Sequence, residues 1–238
     1  MLLYYILHGD PHYVPDQLTE LGKRQAESVA KRLALHGIDQ VFASTSGRAI
    51  ETAQPLCDYL KLKPVLLDWC NEDKVMVNLA DRTKQGFPEW IFRIPEIREM
   101  FCSNEVRALG RQWYTHPYFA GKPYGEGICK VQQDVDAFIE SLGYRHDLEK
   151  NIYYADRPND QRVALFAHEG AGEAILSAIL DVPYPIFTTH FDMNHTGVTI
   201  IEFAENYGVL TPRVLSYSND SHFYREGLPT RFQNKFYI

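Results

Sequence analysis

The chain has 238 residues, of which 45% are hydrophobic and 23% charged, a composition typical of a globular protein and not of a disordered one. Lys and Arg number 24 against 31 Asp and Glu, so the net charge is −7, which argues against broad nucleic-acid or membrane-surface binding but permits a small cationic pocket. The cysteines are widely spaced and contain no C-x-x-C pair, so they predict neither a zinc knuckle nor a disulfide framework: Cys57, Cys70, Cys102 and Cys129.

The first predicted strand is the apolar run from Leu2 to Leu7. It is followed at once by His8 and Gly9, which form a turn. Because open α/β sheets build their ligand sites at the carboxyl ends of strands, His8 is the first candidate for chemistry.

Two strand–helix units follow. Helical spacing predicts a helix from about residue 19 to 36, with Thr19 as its cap. A short strand ends at Ala43, the loop after it suits a phosphate group, and an apolar stripe predicts a second helix. Residues 64–67 form a plausible third strand. Successive units of this kind predict a three-layer α/β/α sandwich with a mostly parallel central sheet.

From about residue 69 to 125 the chain is rich in aromatic and charged residues without strand-like alternation. We predict a helical insertion or cap within a single domain spanning residues 1–238. Such connections often carry substrate-selecting residues, but aromatic residues at helical spacing are equally typical of a packing subdomain.

Regular structure is predicted to resume with a helix at about 127–142. A buried strand at 162–167 leads into His168, Glu169 and a helix through about residue 180. Residues 197–203 and 209–217 are predicted as two further strands.

Three of these residues point to phosphate chemistry. His8 and His168 each end an apolar strand, and Arg48 stands at the amino end of a helix, so all three face the same edge of the sheet. Arginine and helix amino termini suit a phosphate dianion, and a neutral imidazole can itself accept the phosphoryl group. Glu72 is placed to protonate a leaving alkoxide.

In order along the chain, several motifs resemble those of the histidine phosphatase superfamily, the phosphoglycerate mutase-like proteins. The resemblance runs from residue 2 to about 222 apart from the insertion, and its five main motifs are His8-Gly9, Leu18-Thr19-x-x-Gly22-x-x-Gln25-Ala26, Ser44-x-x-x-Arg48-Ala49-x-x-Thr52-Ala53, Gly125-Glu126 and Ala167-His168-x-Gly170. It implies a phosphohistidine mechanism that uses neither a metal nor an organic cofactor.

The resemblance also implies roles for single residues. His8 would be the nucleophile, Glu72 the acid, and Arg48 and His168 would hold the transferred phosphoryl group. The candidate site therefore has His8, Glu72 and His168 as catalytic residues, with Arg48, Gly9 and Glu169 in contact with phosphate. Glu169 also fits a helix-capping or solvent-facing position, and its charge would repel phosphate.

Leu7 departs from the family motif, which is Arg-His-Gly. A charge-assisted hydrogen bond contributes roughly 1.5–3 kcal/mol, so its loss predicts a roughly 10- to 150-fold handicap. Three explanations are open: a cation from the insertion compensates, the substrate carries less negative charge, or activity has decayed. The candidate cations are Lys74, Arg82, Arg93 and Arg111.

We predict hydrolysis of a small phosphorylated metabolite by a histidine acid phosphatase or phosphoglycerate mutase-like phosphatase. A mutase is the less favoured outcome because it must also keep water from the phosphoenzyme. A catalytically impaired phosphate-ligand binder is the main alternative.

A different enzyme class would use a hydrolytic metal site built from His8, Asp10, His12, His168 and Glu169. Pro11 interrupts that segment, however, and Arg48 would lie unfavourably beside a cation.

The expected partner is a small phosphorylated substrate or phosphate, with no nucleic acid and no membrane. The sequence leaves a homo-oligomer open. No signal peptide or bilayer-spanning run is evident, so the predicted location is the cytoplasm. His12, His195 and His222 are predicted to be ordinary loop or packing histidines.

Overall fold

A computed structural model describes residues 1–230 and 232. The strands run as follows: β1 Leu2–Leu7, β2 Pro11–His12, β3 Gln17–Leu18, β4 Gln40–Ser44, β5 Val65–Leu67, β6 Ala80–Arg82, β7 Pro88–Trp90, β8 Tyr144–Asp147, β9 Ile152–Ala155, β10 Arg162–Ala167, β11 Val198–Glu202, β12 Glu205–Asn206, β13 Val209–Leu210 and β14 Arg213–Asn219. The α-helices are α1 Glu20–Ala34, α2 Gly47–Leu60, α3 Glu72–Leu79, α4 Pro95–Cys102, α5 Asn104–Ala108, α6 Tyr124–Ser141, α7 Glu169–Leu180, α8 Tyr184–His190 and α9 Ser221–Glu226.

The central sheet has six strands in the order β14-β11-β1-β10-β4-β5. Strands β1, β10, β4 and β5 are parallel to one another, whereas β11 is antiparallel to both β1 and β14. The predicted mostly parallel α/β sheet is therefore confirmed. Its first strand pairs with β10 in a register that sets Leu7 opposite Ala167, so the residues after these two strands emerge side by side.

The alternation of side chains along β1 separates two cores. Leu3, Tyr5 and Leu7 belong to one hydrophobic cluster, and Tyr4 and Ile6 belong to another that includes residues of α1 and α2. Because successive side chains of a strand point to opposite faces, the sheet is covered on both sides. This is the three-layer arrangement expected from the sequence.

Several local predictions need correction. The predicted strand at 209–217 is two strands, because β13 joins a small sheet with β9 and β12 whereas β14 lies at the edge of the main sheet. Strands β8 and β9 and helix α8 were not predicted. Their apolar runs are too short for periodicity to distinguish strand from helix.

The segment from about 69 to 125 contains α3, α4, α5 and short 3-10 turns. It also contains a hairpin formed by β6 and β7. This hairpin was not predicted because the segment shows no alternation of apolar and polar residues. Trp113 and Phe101 are fully buried and belong to the larger core cluster. The aromatic residues of this segment therefore contribute much of the core on that face of the sheet.

Within the part of the chain that the structure describes, none of the helices combines the length and apolarity needed to cross a bilayer.

Candidate active site

The site lies where β1 and β10 end. His8 follows β1 and His168 follows β10, and their imidazole rings are 5.3 Å apart in an edge-to-face arrangement. Strand β4, the next strand beyond β10, leads through Ser44 and Ser46 into α2, which carries Arg48. The parallel register thus brings together the three residues that the sequence placed at one sheet edge.

His8 has the geometry of a nucleophile. It is 3% exposed, and its Nδ1 lies 2.8 Å from the carbonyl oxygen of Gly9. A carbonyl can only accept, so Nδ1 carries the proton and Nε2 keeps its lone pair. Burial lowers the pKa of His8 to about 3, assisted by His195 and Arg48, so the ring is neutral across the physiological range.

The contacts of His168 also define its tautomer. Arg48 Nη2 lies 3.1 Å from Nδ1, and because guanidinium only donates, Nδ1 is the acceptor. Nε2 therefore carries the proton and donates to Ser44 Oγ at 2.8 Å. Burial holds the pKa of this fully buried histidine well below its usual range. The hydroxyl of Tyr5 donates to the His168 carbonyl at 2.6 Å and anchors the backbone there.

Arg48 is held by two carboxylates. Its Nη1 donates to Asp16 Oδ1 at 2.7 Å and its Nη2 donates to Glu72 Oε2 at 2.8 Å. Among the described residues Nε finds no acceptor. The predicted phosphate-binding arginine is thus at the sheet edge, but its two terminal nitrogens already face acidic groups.

Glu72 begins α3, after the side chain of Asn71 caps the helix by accepting from the Asp73 amide. Burial raises the pKa of the Glu72 carboxyl, although Arg48 and the amide of Gly170 oppose the shift. A carboxyl with a raised pKa keeps its proton to higher pH, which suits a general acid. The structure brings it within 3.8 Å of His168 Nδ1.

His8, Arg48 and Glu72 line a cavity of about 430 Å³, whereas His168 is fully buried next to Arg48. The cavity wall holds more acidic than basic side chains: the acids are Asp16, Glu72, Asp73, Glu89 and Glu169, and the bases are Arg48 and Arg93. Leu7 contributes to the wall and is 2% exposed. An apolar side chain therefore lines the cavity directly beside the candidate nucleophile.

The structure does not direct Gly9 towards the cavity. Its N–H donates to Thr52 Oγ1 at 2.9 Å, and its carbonyl receives His8. Phosphate contact by Gly9 would require both bonds to change.

Glu169 lines the cavity, but its side chain is only 16% exposed and accepts from Arg93 Nη2 at 3.0 Å. The solvent-facing position predicted for it is wrong, because the turn at Ile91–Arg93 brings Arg93 against it. Burial raises the pKa of the Glu169 carboxyl, although Arg93 opposes the shift.

Of the four cations considered as substitutes at Leu7, Arg93 lines this cavity. The other three lie against groups elsewhere: Lys74 is 3.6 Å from Asp68, Arg82 donates to the Gly86 carbonyl, and Arg111 pairs with Asp181. Arg93 is half-buried between Glu169 and Glu89.

Sequence reasoning missed other residues of the cavity. His195, predicted to be an ordinary loop or packing histidine, follows α8 in a loop and places its ring 5.7 Å from that of His8. Tyr13 lies over the Arg48 guanidinium at 5.3 Å. Asp16 and Trp90 complete the wall. None of these positions carries a local signal, since their proximity depends on the folding of loops.

One group among the described residues has the proximity needed for a metal ion: His8, Glu72 and His168, whose potential ligand atoms lie within 4.8 Å of one another. Arg48 Nη2 contacts two of the three, so a guanidinium already supplies the positive charge between them. Of the metal set considered from the sequence, His12 is exposed and lies outside the cavity, and Asp10 accepts from Thr19.

Comparisons with known proteins concern the family and the fold. The model of the histidine phosphatase superfamily (branch 1) matches residues 8–214. A search of curated protein sequences returns no significant match.

Among solved structures, YhfR of Bacillus stearothermophilus is similar at 25% identity with a TM-score of 0.57, over 93% of this chain and 98% of that one. A mutant phosphoserine phosphatase from Entamoeba histolytica in complex with phosphoserine has 16% identity, a TM-score of 0.58 and coverage of 93% and 98%. A mycobacterial glucosyl-3-phosphoglycerate phosphatase with inorganic phosphate has 18% identity, a TM-score of 0.57 and coverage of 93% and 98%. The last two likenesses establish a shared fold.

Proposed function

Because the chain belongs to the histidine phosphatase superfamily (branch 1), we propose that it hydrolyses phosphomonoesters of a small metabolite through a phosphohistidine on His8. The observation that carries the proposal is the His8 tautomer. The hydrogen bond from Nδ1 to the Gly9 carbonyl leaves the Nε2 lone pair available, and His8 and Arg48 both line a cavity of metabolite size.

The proposed reaction has two steps. In the first, His8 Nε2 attacks phosphorus, the bond from phosphorus to the ester oxygen breaks, and protonated Glu72 donates its proton to the leaving alkoxide. In the second, Glu72 takes a proton from water, the resulting hydroxide attacks phosphorus, and the bond to Nε2 breaks. Inorganic phosphate leaves, and both His8 and Glu72 return to their starting states.

Arg48 is proposed to stabilise the charge on the transferred group, as preorganised donors do in phosphoryl transfer. His168 is also proposed to contact this group, which requires its single N–H to leave Ser44 Oγ. We assign Arg93 as the cation that partly compensates for Leu7, because it lines the same cavity. Its two carboxylate neighbours weaken that compensation. Gly9 and Glu169 remain predictions as phosphate contacts, and the structure favours neither in its present arrangement.

The names of similar structures support the substrate class. Phosphoserine, inorganic phosphate and glucosyl-3-phosphoglycerate appear among the ligands and substrates of these phosphatases, so a small phosphorylated metabolite is a consistent substrate for this chain. Phosphoryl transfer to a second metabolite, as in a mutase, would need water to be kept from the phosphoenzyme. Cytoplasmic location and oligomeric state remain predictions from the sequence.

A second candidate function is binding of a phosphate ligand without turnover. Two observations favour it: an apolar Leu7 lines the cavity, and both terminal nitrogens of Arg48 already contact carboxylates. Both features lower the affinity of the cavity for a phosphate dianion.

The test is to trap the intermediate. The protein is mixed with a phosphomonoester, quenched rapidly in alkali to preserve phosphohistidine, and mapped by mass spectrometry. Phosphate is expected on His8 in the wild type and absent in His8→Ala, which should lose turnover while keeping its fold. His12→Ala is the matched control, because His12 is exposed and outside the cavity.

Failure to find phosphate on His8, together with calorimetric binding of the ester, would establish the binder. Loss of turnover on chelation, with restoration by a divalent metal, would instead support a metal-dependent hydrolase.

A further inference from the structure

We infer that Asp16 is an internal anion occupying the position of substrate phosphate, so that a ligand enters by displacing the tip of the β2–β3 hairpin. The inference rests on the proposed function in taking Arg48 as the phosphate-binding residue. It adds that the site is autoinhibited in its resting state.

The two oxygens of the Asp16 carboxylate use two donors suited to phosphate. Oδ1 accepts from Arg48 Nη1 at 2.7 Å, and Oδ2 accepts from the Gly47 N–H at 2.7 Å. Gly47 is the first residue of the 14-residue helix α2, where free amides and the helix dipole favour an anion. A guanidinium combined with such amides is a recurrent phosphate cradle, and here a carboxylate of the same chain fills it.

The backbone allows this close approach only because residue 47 is glycine. A Cβ at Gly47 would lie 2.1 Å from the carbonyl oxygen of Asp16, a distance at which the hairpin tip would have to move. Two features therefore hold the tip on α2: the carboxylate contacts and the absence of a side chain beneath it.

The remaining contacts of Arg48 lie on its other side. Glu72 and His168 accept from Nη2, and Tyr13 from the same hairpin lies over the guanidinium. A phosphate that takes the place of the Asp16 carboxylate therefore replaces the Asp16 contact at Nη1 and leaves those at Nη2 intact.

Asp16 is the partner that can leave. Its side chain is 35% exposed, whereas that of Glu72 is 18% exposed and also accepts from the Gly170 amide. The hairpin is short, with His12 paired to Gln17, and Val14 at its tip is 93% exposed. Moving this tip uncovers little apolar surface.

Displacement predicts that Asp16 competes with phosphate. Removal of its charge should tighten the binding of inorganic phosphate about tenfold, the equivalent of one charge-assisted hydrogen bond that phosphate no longer has to replace. The same change should lower KM for a phosphomonoester.

The experiment measures inorganic phosphate binding by isothermal titration calorimetry for the full-length wild type, Asp16→Asn and Asp16→Ala. Asp73→Asn is the matched control, since Asp73 lines the same cavity and its removal changes the charge equally, whereas the carboxylates that pair with Arg48 are those of Asp16 and Glu72. Asp73→Asn is expected to change affinity by less than about threefold, as for a screened surface charge.

A second measurement uses the unaltered protein. Hydrogen–deuterium exchange in peptides covering residues 11–18 should accelerate when phosphate saturates the site, because the hairpin tip is released while α2 stays folded. This readout does not depend on whether an Asp16 variant folds.

Unchanged or weaker phosphate binding in folded Asp16 variants would overturn the inference, as would unchanged exchange of residues 11–18. An equal gain in phosphate affinity in Asp73→Asn would also overturn the inference, because loss of any negative charge in the cavity would then explain the effect. Failure of all the proteins to bind phosphate counts against it too. Absence of phosphate on His8 with tighter binding in Asp16→Asn would refute hydrolysis and leave the internal anion standing.

Discussion

At the scale of single residues, Leu7 and Asp16 both reduce the positive charge available to a substrate. Leu7 brings an apolar side chain to the cavity wall beside His8, and Asp16 holds one terminal nitrogen of Arg48. The proposed phosphate binding therefore depends on a small number of contacts, each of which a substitution can change.

Leu7→Arg should raise affinity for phosphate roughly tenfold or more, because it adds a charge-assisted donor to the cavity wall. Binding is measured by calorimetry, and the free energy of unfolding is measured in parallel because Leu7 also packs in the core. Leu7→Met is the control that keeps the position apolar. Equal affinities in Leu7→Arg and the wild type would mean that Arg93 already supplies the charge, or that the cavity does not serve phosphate.

The pH dependence of turnover should be acidic. His8 is a neutral nucleophile above its pKa of about 3, and Glu72 acts as an acid only below its own raised pKa. The value of kcat/KM for an alkyl phosphate should therefore rise through pH 3, form a plateau, and fall as Glu72 loses its proton. A rate that continues to rise into alkaline pH would contradict the assignment of Glu72 as the acid.

Substrates with different leaving groups test the proposed role of Glu72 as the acid. Glu72→Gln should slow hydrolysis of an alkyl phosphate by roughly 100- to 10,000-fold, the range for a lost general acid. It should slow hydrolysis of p-nitrophenyl phosphate much less, because nitrophenolate leaves without a proton. Asp73→Asn, one residue further along α3, is the control, and equal losses on both substrates would assign Glu72 a positioning role.

At the scale of elements, a buried histidine links three parts of the fold on the other side of α7. His146 on β8 lies 2.9 Å from Asp136 on α6 and 3.0 Å from Asp181 at the end of α7. Its side chain is 1% exposed, and its ring stacks on that of Tyr153 at 4.1 Å. Although burial opposes the charged form, hydrogen bonds to the two aspartates raise the pKa of His146 to about 9.

This contact predicts how stability depends on pH. A folded-state pKa above the unfolded value of 6.5 means that the stabilisation is complete below pH 6.5 and is lost as the pH rises through about 9. The loss is on the order of 2 kcal/mol, or about 5 °C in Tm for a chain of this size.

Thermal melts at pH 6 and pH 9.5 measure the effect. Between pH 6 and pH 9.5 the Tm of the wild type should fall further than that of His146→Gln. The Tm of His36→Gln should fall as far as that of the wild type, because His36 is exposed. Equal slopes in the wild type and His146→Gln would show that the histidine is neutral in the folded protein.

At the scale of the whole molecule, charge works against an anionic substrate. The chain has a net charge of −7, and the cavity wall carries five carboxylates against two guanidinium groups. Repulsion from outside the cavity acts over the Debye length, which falls from about 30 Å at 0.01 M salt to about 10 Å at 0.1 M.

Raising sodium chloride over that range should therefore increase kcat/KM for a dianionic phosphomonoester, by about twofold or more as the long-range repulsion is screened. A zwitterionic ester of similar size should respond less. A steady decrease with salt would indicate that Arg48 and Arg93 dominate the field at the entrance.

The order of the main strands and helices, and the positions of His8, Arg48 and His168 at strand and helix ends, could be predicted from the amino-acid sequence. The apolar runs and helical spacings that predict these elements are contained within a few consecutive residues. Parallel pairing then brings the ends of β1 and β10 together. The proximity of these three residues can therefore be predicted without knowing how the loops fold. Short elements such as β8, β9 and α8 were missed because so few residues define no clear period.

The surroundings of those residues became evident from the three-dimensional fold. Asp16 contacts Arg48 because a hairpin folds onto the start of α2 over Gly47, and Arg93 and His195 reach the cavity from separate loops. The direction of a loop depends on long-range packing and not on its own residues, so neither spacing nor propensity predicted these contacts. In the proposed phosphate site, the arginine therefore already holds an anion of its own chain.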